Sequence, residues 1–215
     1  MKKVVVLFVI FCVLAGTINA QRINASPFEG RWVCNQGGEG FSEIAEMVFF
    51  GNILLVMEQF LPYYMGILFT HAGGIISTED RDFEWHYRLS GNALQITNED
   101  GISVSFTRVQ TQRSHLDGLW KVIEGPGYDP DEEHYVLFTG DIMAIGDGHE
   151  YLGFTIEFEG SAFRPSASSL GDEIYIIPED ELEAALASLL MEYNVSGNYL
   201  TLTHQGEVLT LRSVK

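Results

Sequence analysis

From about residue 26 onward, short runs of alternating apolar and polar residues fill the chain, separated by Gly-Asn and Gly-Asp pairs. Tyr87 and Leu89 alternate with polar neighbours, Gly91-Asn92 turns the chain, and Leu94 and Ile96 resume the alternation. Residues 47–50 and 53–57 flank Gly51-Asn52 in the same way. A period of two marks a strand with one buried face, and a two-residue Gly-Asn connection suits the positive φ angles of a tight hairpin. Turns recurring every 8 to 12 residues or so predict an antiparallel meander that closes on itself. In the first half the expected strands lie near 30–34, 45–50, 53–59, 63–70, 74–78, 83–89, 93–97 and 102–109.

The same pattern occurs twice. Phe28-Glu29-Gly30-Arg31-Trp32 returns as Leu116-Asp117-Gly118-Leu119-Trp120, and Tyr87-Arg88-Leu89-Ser90-Gly91-Asn92 returns as Tyr193-Asn194-Val195-Ser196-Gly197-Asn198. Between them Phe50-Gly51-Asn52-Ile53 matches Phe138-Thr139-Gly140-Asp141-Ile142, and Tyr64-Met65-Gly66 matches Tyr151-Leu152-Gly153. The stretch from Gly101 to Val109 matches that from Gly206 to Val214. Blocks recurring in one order make an internal repeat, which sets the domain count before any single residue is argued. The predicted division is a leader over 1–20, one barrel over 21–110 and a second over 111–215.

The copies differ most before Tyr193. From Pro178 the chain reads Pro-Glu-Asp-Glu-Leu-Glu-Ala-Ala-Leu-Ala-Ser-Leu-Leu-Met-Glu-Tyr. Proline first, acids next and good helix formers after them predict a helix near 178–193, with Leu182, Leu186, Leu189 and Leu190 on one face. The expected fold is therefore all-β: two tandem, small, antiparallel up-and-down β-barrels of about eight strands each, with one helical insertion in the second.

Met1-Lys2-Lys3 precedes an apolar run and a small-residue end at Ala20, the plan of a cleaved secretory signal with its cut before Gln21. The run is short for a span of about 20 residues, and no later stretch reaches that length. Localisation is expected to be periplasmic or secreted, and the Lys-Lys start points to a bacterial source. The chain holds 30 acids against 12 Lys and Arg, a net charge of −18. Removing the leader takes away two lysines and no acid, so the exported form is more acidic still. Such a surface repels nucleic acid and anionic membrane. After cleavage only Cys34 remains, so no intramolecular disulfide forms. Packed apolar cores must hold the fold, and 46% hydrophobic residues suffice for that.

Gly-x-Trp opens each copy, at Gly30–Trp32 and Gly118–Trp120, and an Arg stands near the end of each last strand, at Arg108 and Arg212. This pairing resembles the lipocalin-like, or calycin-type, small β-barrels. Each copy is shorter than a full lipocalin, so the resemblance is to the compact lipocalin-like domains of exported bacterial proteins. It implies that each Trp plugs one barrel end and that each closing Arg packs over its indole. A guanidinium over an indole gains about 0.5–2 kcal/mol.

Recognisable chemistry is sparse. The chain lacks a Gly-x-Ser-x-Gly elbow, a His-Glu-x-x-His helix and a phosphate loop. The six histidines do not align between the copies. Asp129, Asp131, Asp147, His149 and Glu150 occupy acidic loops of the second copy; carboxylates suit Ca²⁺, and a histidine adds affinity for Zn²⁺. Solvated loops are the plainer reading of these residues. Tyr63, Tyr64 and Trp85 are candidates to line a barrel mouth for an apolar ligand or peptide, against the alternative that they are core. The reading is an exported, non-enzymatic binding or interaction protein with no cofactor, whose partner is a protein or a small apolar ligand. The rival is a metal-dependent hydrolase or Ca-binding protein using the acidic loops.

Overall fold

The structure, a computed structural model, describes residues 26–36, 43–59, 63–78, 83–166 and 188–214. The leader expected over 1–20 lies outside them. The first half forms β1 (Gly30–Gln36), β2 (Ile44–Phe50), β3 (Ile53–Glu58), β4 (Tyr64–Ala72), β5 (Ile75–Thr78), β6 (Glu84–Ser90), β7 (Ala93–Thr97) and β8 (Ser103–Val109). The second forms β9 (Gly118–Glu124), β10 (Tyr135–Thr139), β11 (Ile142–Gly146), β12 (Glu150–Glu159), β13 (Ala162–Pro165), β14 (Met191–Ser196), β15 (Tyr199–His204) and β16 (Glu207–Ser213). First-half strand ends fall within two residues of those read from alternation, because hairpin turns and period-two patterning are local properties.

Two separate tandem barrels with a helix are not what forms. All sixteen strands belong to one antiparallel sheet. The first eight close a β-barrel through the β4–β5 pairing. The other eight join it through β12, whose start pairs with the start of β4, and they repeat the neighbour order of the first eight, β12 pairing with both β11 and β13. The two circuits thus form a first ring, β1 to β8, and a second ring, β9 to β16. No helix occurs among the described residues. The end of the segment expected to be helical is a turn at 188–190 followed by β14, and residues 178–187 lie outside the described residues. Met191 and Glu192 pair with Phe163 and Ala162, so sheet pairing overrides the local helix preference there.

Three cores result. The first ring encloses Phe28, Trp32, Met47, Phe49, Phe69, Leu94 and Phe106, among others. The second encloses Leu116, Trp120, Phe138, Phe163, Leu200 and Leu211. Cys34 packs against the first of these cores as a small apolar side chain. The third core lies between the rings and is drawn from both: Val48, Ile53, Leu55 and Tyr64 face Leu119, Tyr135, Leu137, Ile142 and Tyr151. Burial of one such side chain contributes about 1.5–3 kcal/mol. The third core and the β4–β12 pairing therefore bind the halves into one unit.

Candidate functional site

The doubled phrase builds the same bracket at one end of each ring. Trp32 Nε1 donates to the Phe28 carbonyl at 2.6 Å, and Trp120 Nε1 to the Leu116 carbonyl at 2.8 Å. The Ser26 and Ser114 hydroxyls accept from the N–H groups of Phe28 and Leu116 at 3.2 and 3.1 Å. Gly30 and Gly118, at φ 115° and 149°, adopt backbone that L side chains rarely reach. The acid before each glycine was not singled out from the sequence, although it lies within the repeated phrase. Glu29 accepts from Gly51 N–H at 3.0 Å and Asp117 from Gly140 N–H at 2.8 Å, so each ties the start of its ring to a hairpin turn. Burial pushes the Glu29 carboxyl up, against the opposing pull of the Gly51 N–H. These groups are satisfied by one another, and the bracket is a structural device.

The closing arginines do not match. Arg108 stands opposite Trp32, its Cζ 4.5 Å from the ring centroid, and its Nη2 donates to the Pro27 carbonyl at 3.0 Å. In the second ring Ser213 stands opposite Trp120. Arg212 lies one position earlier, opposite Lys121 and Tyr199, and is exposed. Neighbouring residues of a strand face opposite sides, so this one-residue offset turns Arg212 outward.

The candidate mouth aromatics are not gathered. Tyr64 is buried in the core between the rings. Trp85 packs against the first-ring core, its ring 4.0 Å from Phe83 and nearly parallel to it. Tyr63 is half-buried just before β4.

The acidic loops likewise satisfy themselves. Asp129 Oδ1 accepts from Asp131 N–H at 2.9 Å. Asp147 Oδ1 accepts from the N–H groups of His149 and Glu150 at 2.9 and 3.0 Å. Among the described residues no three His, Cys, Asp or Glu side chains are placed to hold a metal ion. Nearby, Glu133 pairs with Lys121 and accepts from the Tyr135 hydroxyl at 2.6 Å. The bonds from Lys121, and then from Tyr135, hold its carboxyl below the usual value.

The strongest polar cluster lies beside the inter-ring core and was missed from the sequence. Arg31 Nε lies 2.6 Å from buried Glu46, and its Nη1 lies 3.1 Å from Asp141 on the β10–β11 turn of the other ring. The Tyr64 hydroxyl donates to Glu46. Burial, and then Glu46, push the Tyr64 phenol up, so it stays protonated. Burial opposes the Arg31 charge, but Tyr64, Glu46 and Asp141 together raise its pKa above the usual value. Matching registers place Leu119, Tyr135 and Tyr151 at the corresponding second-ring positions. One half thus presents ions where the other presents apolar surface. The cluster aligns the halves; its charges are paired with each other.

No family model matches the chain, and no curated protein sequence matches it significantly. Among solved structures it is similar to the DNA polymerase III subunit beta from Pseudomonas aeruginosa, with 10% identity and a TM-score of 0.23 over 90% of this chain and 60% of that one. The beta subunit from Thermotoga maritima gives 11% and 0.17 over 91% and 59%. The sliding clamp from Caulobacter crescentus gives 11% and 0.16 over 91% and 60%. The chain spans about 60% of the length of these proteins. Likeness at this level carries no argument about function. No helix among the described residues is long and apolar enough to cross a membrane.

Proposed function

We propose that the protein is an exported, non-enzymatic interaction protein of lipocalin-like type, which engages a protein partner through its outer surface instead of carrying a small apolar ligand inside a ring. One observation supports this reading above the rest: large side chains fill both ring interiors. Trp32, Phe49, Phe69 and Phe106 in the first, and Phe138 and Phe163 in the second, are almost wholly buried. An eight-stranded ring is only just wide enough for its own side chains. Export rests on the charged start, apolar run and small-residue end of the leader.

The test is purification from the native envelope and medium, with mass spectrometry of co-purifying proteins and of organic extracts. The expected result is a stoichiometric protein partner and a chain beginning at Gln21. A stoichiometric apolar molecule in the extract overturns the surface reading, and retention of residues 1–20 overturns export.

A further inference from the structure

Equivalent strands of the two rings pair in equivalent registers, so the first ring is an internal control for the second. One cross-strand row on the outer surface of the second ring departs from the first at three neighbouring positions. Lys121 on β9 lies opposite Arg212 on β16, Arg212 opposite Tyr199 on β15, and Tyr199 opposite Ser196 on β14. The same row of the first ring reads Val33, Thr107, Ala93 and Ser90. Successive side chains of a strand point to opposite faces. Lys121, Arg212 and Tyr199 adjoin the core residues Trp120, Leu211 and Leu200, so all three belong to one outward surface. The fold accepts Val, Thr and Ala in this row, so the barrel itself does not require the two cations and the aromatic.

The two cations differ in what they do. Lys121 is paired with Glu133. Among the described residues Arg212 forms no ion pair and the Tyr199 hydroxyl no hydrogen bond. Both are exposed, Tyr199 by 49%. The next outward row, Thr210, Thr201 and Asn194, is uncharged, with Glu124 at its β9 end. On a chain with 30 acids against 12 Lys and Arg, an uncommitted guanidinium beside an exposed phenol is a local reversal of sign.

We propose that this face, with Arg212 and Tyr199 at its centre, docks a peptide segment that presents one carboxylate beside an apolar side chain. The proposal rests on the surface-interaction reading and names the site and the chemistry of the partner. A guanidinium fork matches a carboxylate in two parallel hydrogen bonds. The phenol ring offers a large apolar contact at low entropy cost, and Tyr and Arg are enriched at the energetic centres of interfaces. One uncommitted cation suits one carboxylate, and the net charge of −18 turns away polyanions. The outer face of a closed barrel is convex and cannot enclose a small molecule as a pocket does, so an extended segment is the occupant that fits.

The test pans a phage-displayed random heptapeptide library on the full exported chain, then titrates the most enriched peptide, made synthetically, by calorimetry. Two variants carry the readout, Arg212→Thr and Tyr199→Ala, each of which installs the first-ring residue at an exposed position; circular dichroism checks that both fold. Enriched peptides are expected to carry a single Asp or Glu next to an apolar residue. Affinity is expected to fall at least about tenfold in Arg212→Thr and measurably in Tyr199→Ala. Changing the peptide's acid to its amide should cost the parent as much as Arg212→Thr does, and cost that variant little more. Enrichment of basic or uncharged peptides, absence of enrichment, or dimerisation of the parent that Arg212→Thr abolishes overturns the proposal. Acidic binders that ignore both variants defeat this site while leaving surface binding intact; a ligand extracted from inside a ring defeats the broader reading instead.

Discussion

Tyr64 lies directly opposite Gly153 where β4 meets β12, and Tyr151 lies opposite Gly66. Each ring thus lends a tyrosine to the other's glycine, and the repeated Tyr-x-Gly is the joint between the halves. A Cβ on Gly66 would come within 2.5 Å of Leu55 Cδ2 and 2.6 Å of Tyr151 Cβ; on Gly153 it would meet Tyr64 Cβ at 2.9 Å. Neither glycine is needed for its backbone angle, so the constraint is purely one of space. Gly66→Ala is expected to cost about 1–3 kcal/mol through overpacking, with Gly153→Ala milder because its nearest contact is longer. Urea unfolding at pH 7 measures both; a cost below about 0.5 kcal/mol for Gly66→Ala removes the joint from the account.

The two arginines offered by the sequence part company in the same assay. Arg108 covers the Trp32 indole and bonds the Pro27 carbonyl, so Arg108→Ala should lose about 1–2 kcal/mol of combined stacking and hydrogen bonding. Arg212 is exposed and faces away from Trp120. Arg212→Ala should stay within about 0.5 kcal/mol of the parent. Equal losses would mean that Arg212 reaches the indole after all.

These two cases mark what was legible. Strand positions could be read because alternation and Gly-Asn turns act over a few residues. The mismatch of Arg212 was visible in the aligned blocks, where Ser213 falls beneath Arg108, but in a strand a single step changes faces. The β4–β12 joint could not be read. Tyr64-Met65-Gly66 and Tyr151-Leu152-Gly153 appear as repeated strand fragments, and nothing local says that they pair with each other. The helix expectation erred at Met191 and Glu192 for a related reason: their partners, Phe163 and Ala162, are far away in the chain. The Arg31–Glu46–Asp141 cluster joins three distant places, and its second-ring counterparts are apolar, so looking for features common to both copies passes over it.

Acid should act on the second ring through Glu133. Its carboxyl is held below the usual 4.5 by hydrogen bonds from Lys121 and then Tyr135. The unfolded chain therefore binds this proton more readily than the folded one, so the stabilisation is full above about pH 4.5 and fades as pH falls through the lowered folded value. Lys121→Met removes the main partner. The stability gap between parent and variant should be widest at neutral pH and narrow steadily in acid, read from urea midpoints between about pH 7 and pH 3. A gap that does not change with pH would assign the loss to packing alone.

The ion cluster between the rings makes the most discriminating case, because the chain contains its own apolar alternative. Glu46 is almost fully buried and takes both the Arg31 guanidinium and the Tyr64 hydroxyl. Glu46→Ala strands a partly buried cation and a buried phenol, and breaking a buried pair in this way costs about 3–5 kcal/mol. Replacing the whole pair is a different matter. Leu119 and Tyr135 hold the corresponding positions of the second ring, packed in the same inter-ring core. In a Tyr64→Phe background, which leaves no buried phenol to strand, the double variant Arg31→Leu, Glu46→Tyr copies them, removes the desolvation penalty of two charges, and releases the half-exposed Asp141 to water. It should be as stable as the parent or more stable, with a coupling between the two substitutions of several kcal/mol in a double-mutant cycle. Additive losses in that cycle would show instead that the ions stabilise the seam outright, and that the asymmetry between the rings is maintained by stability.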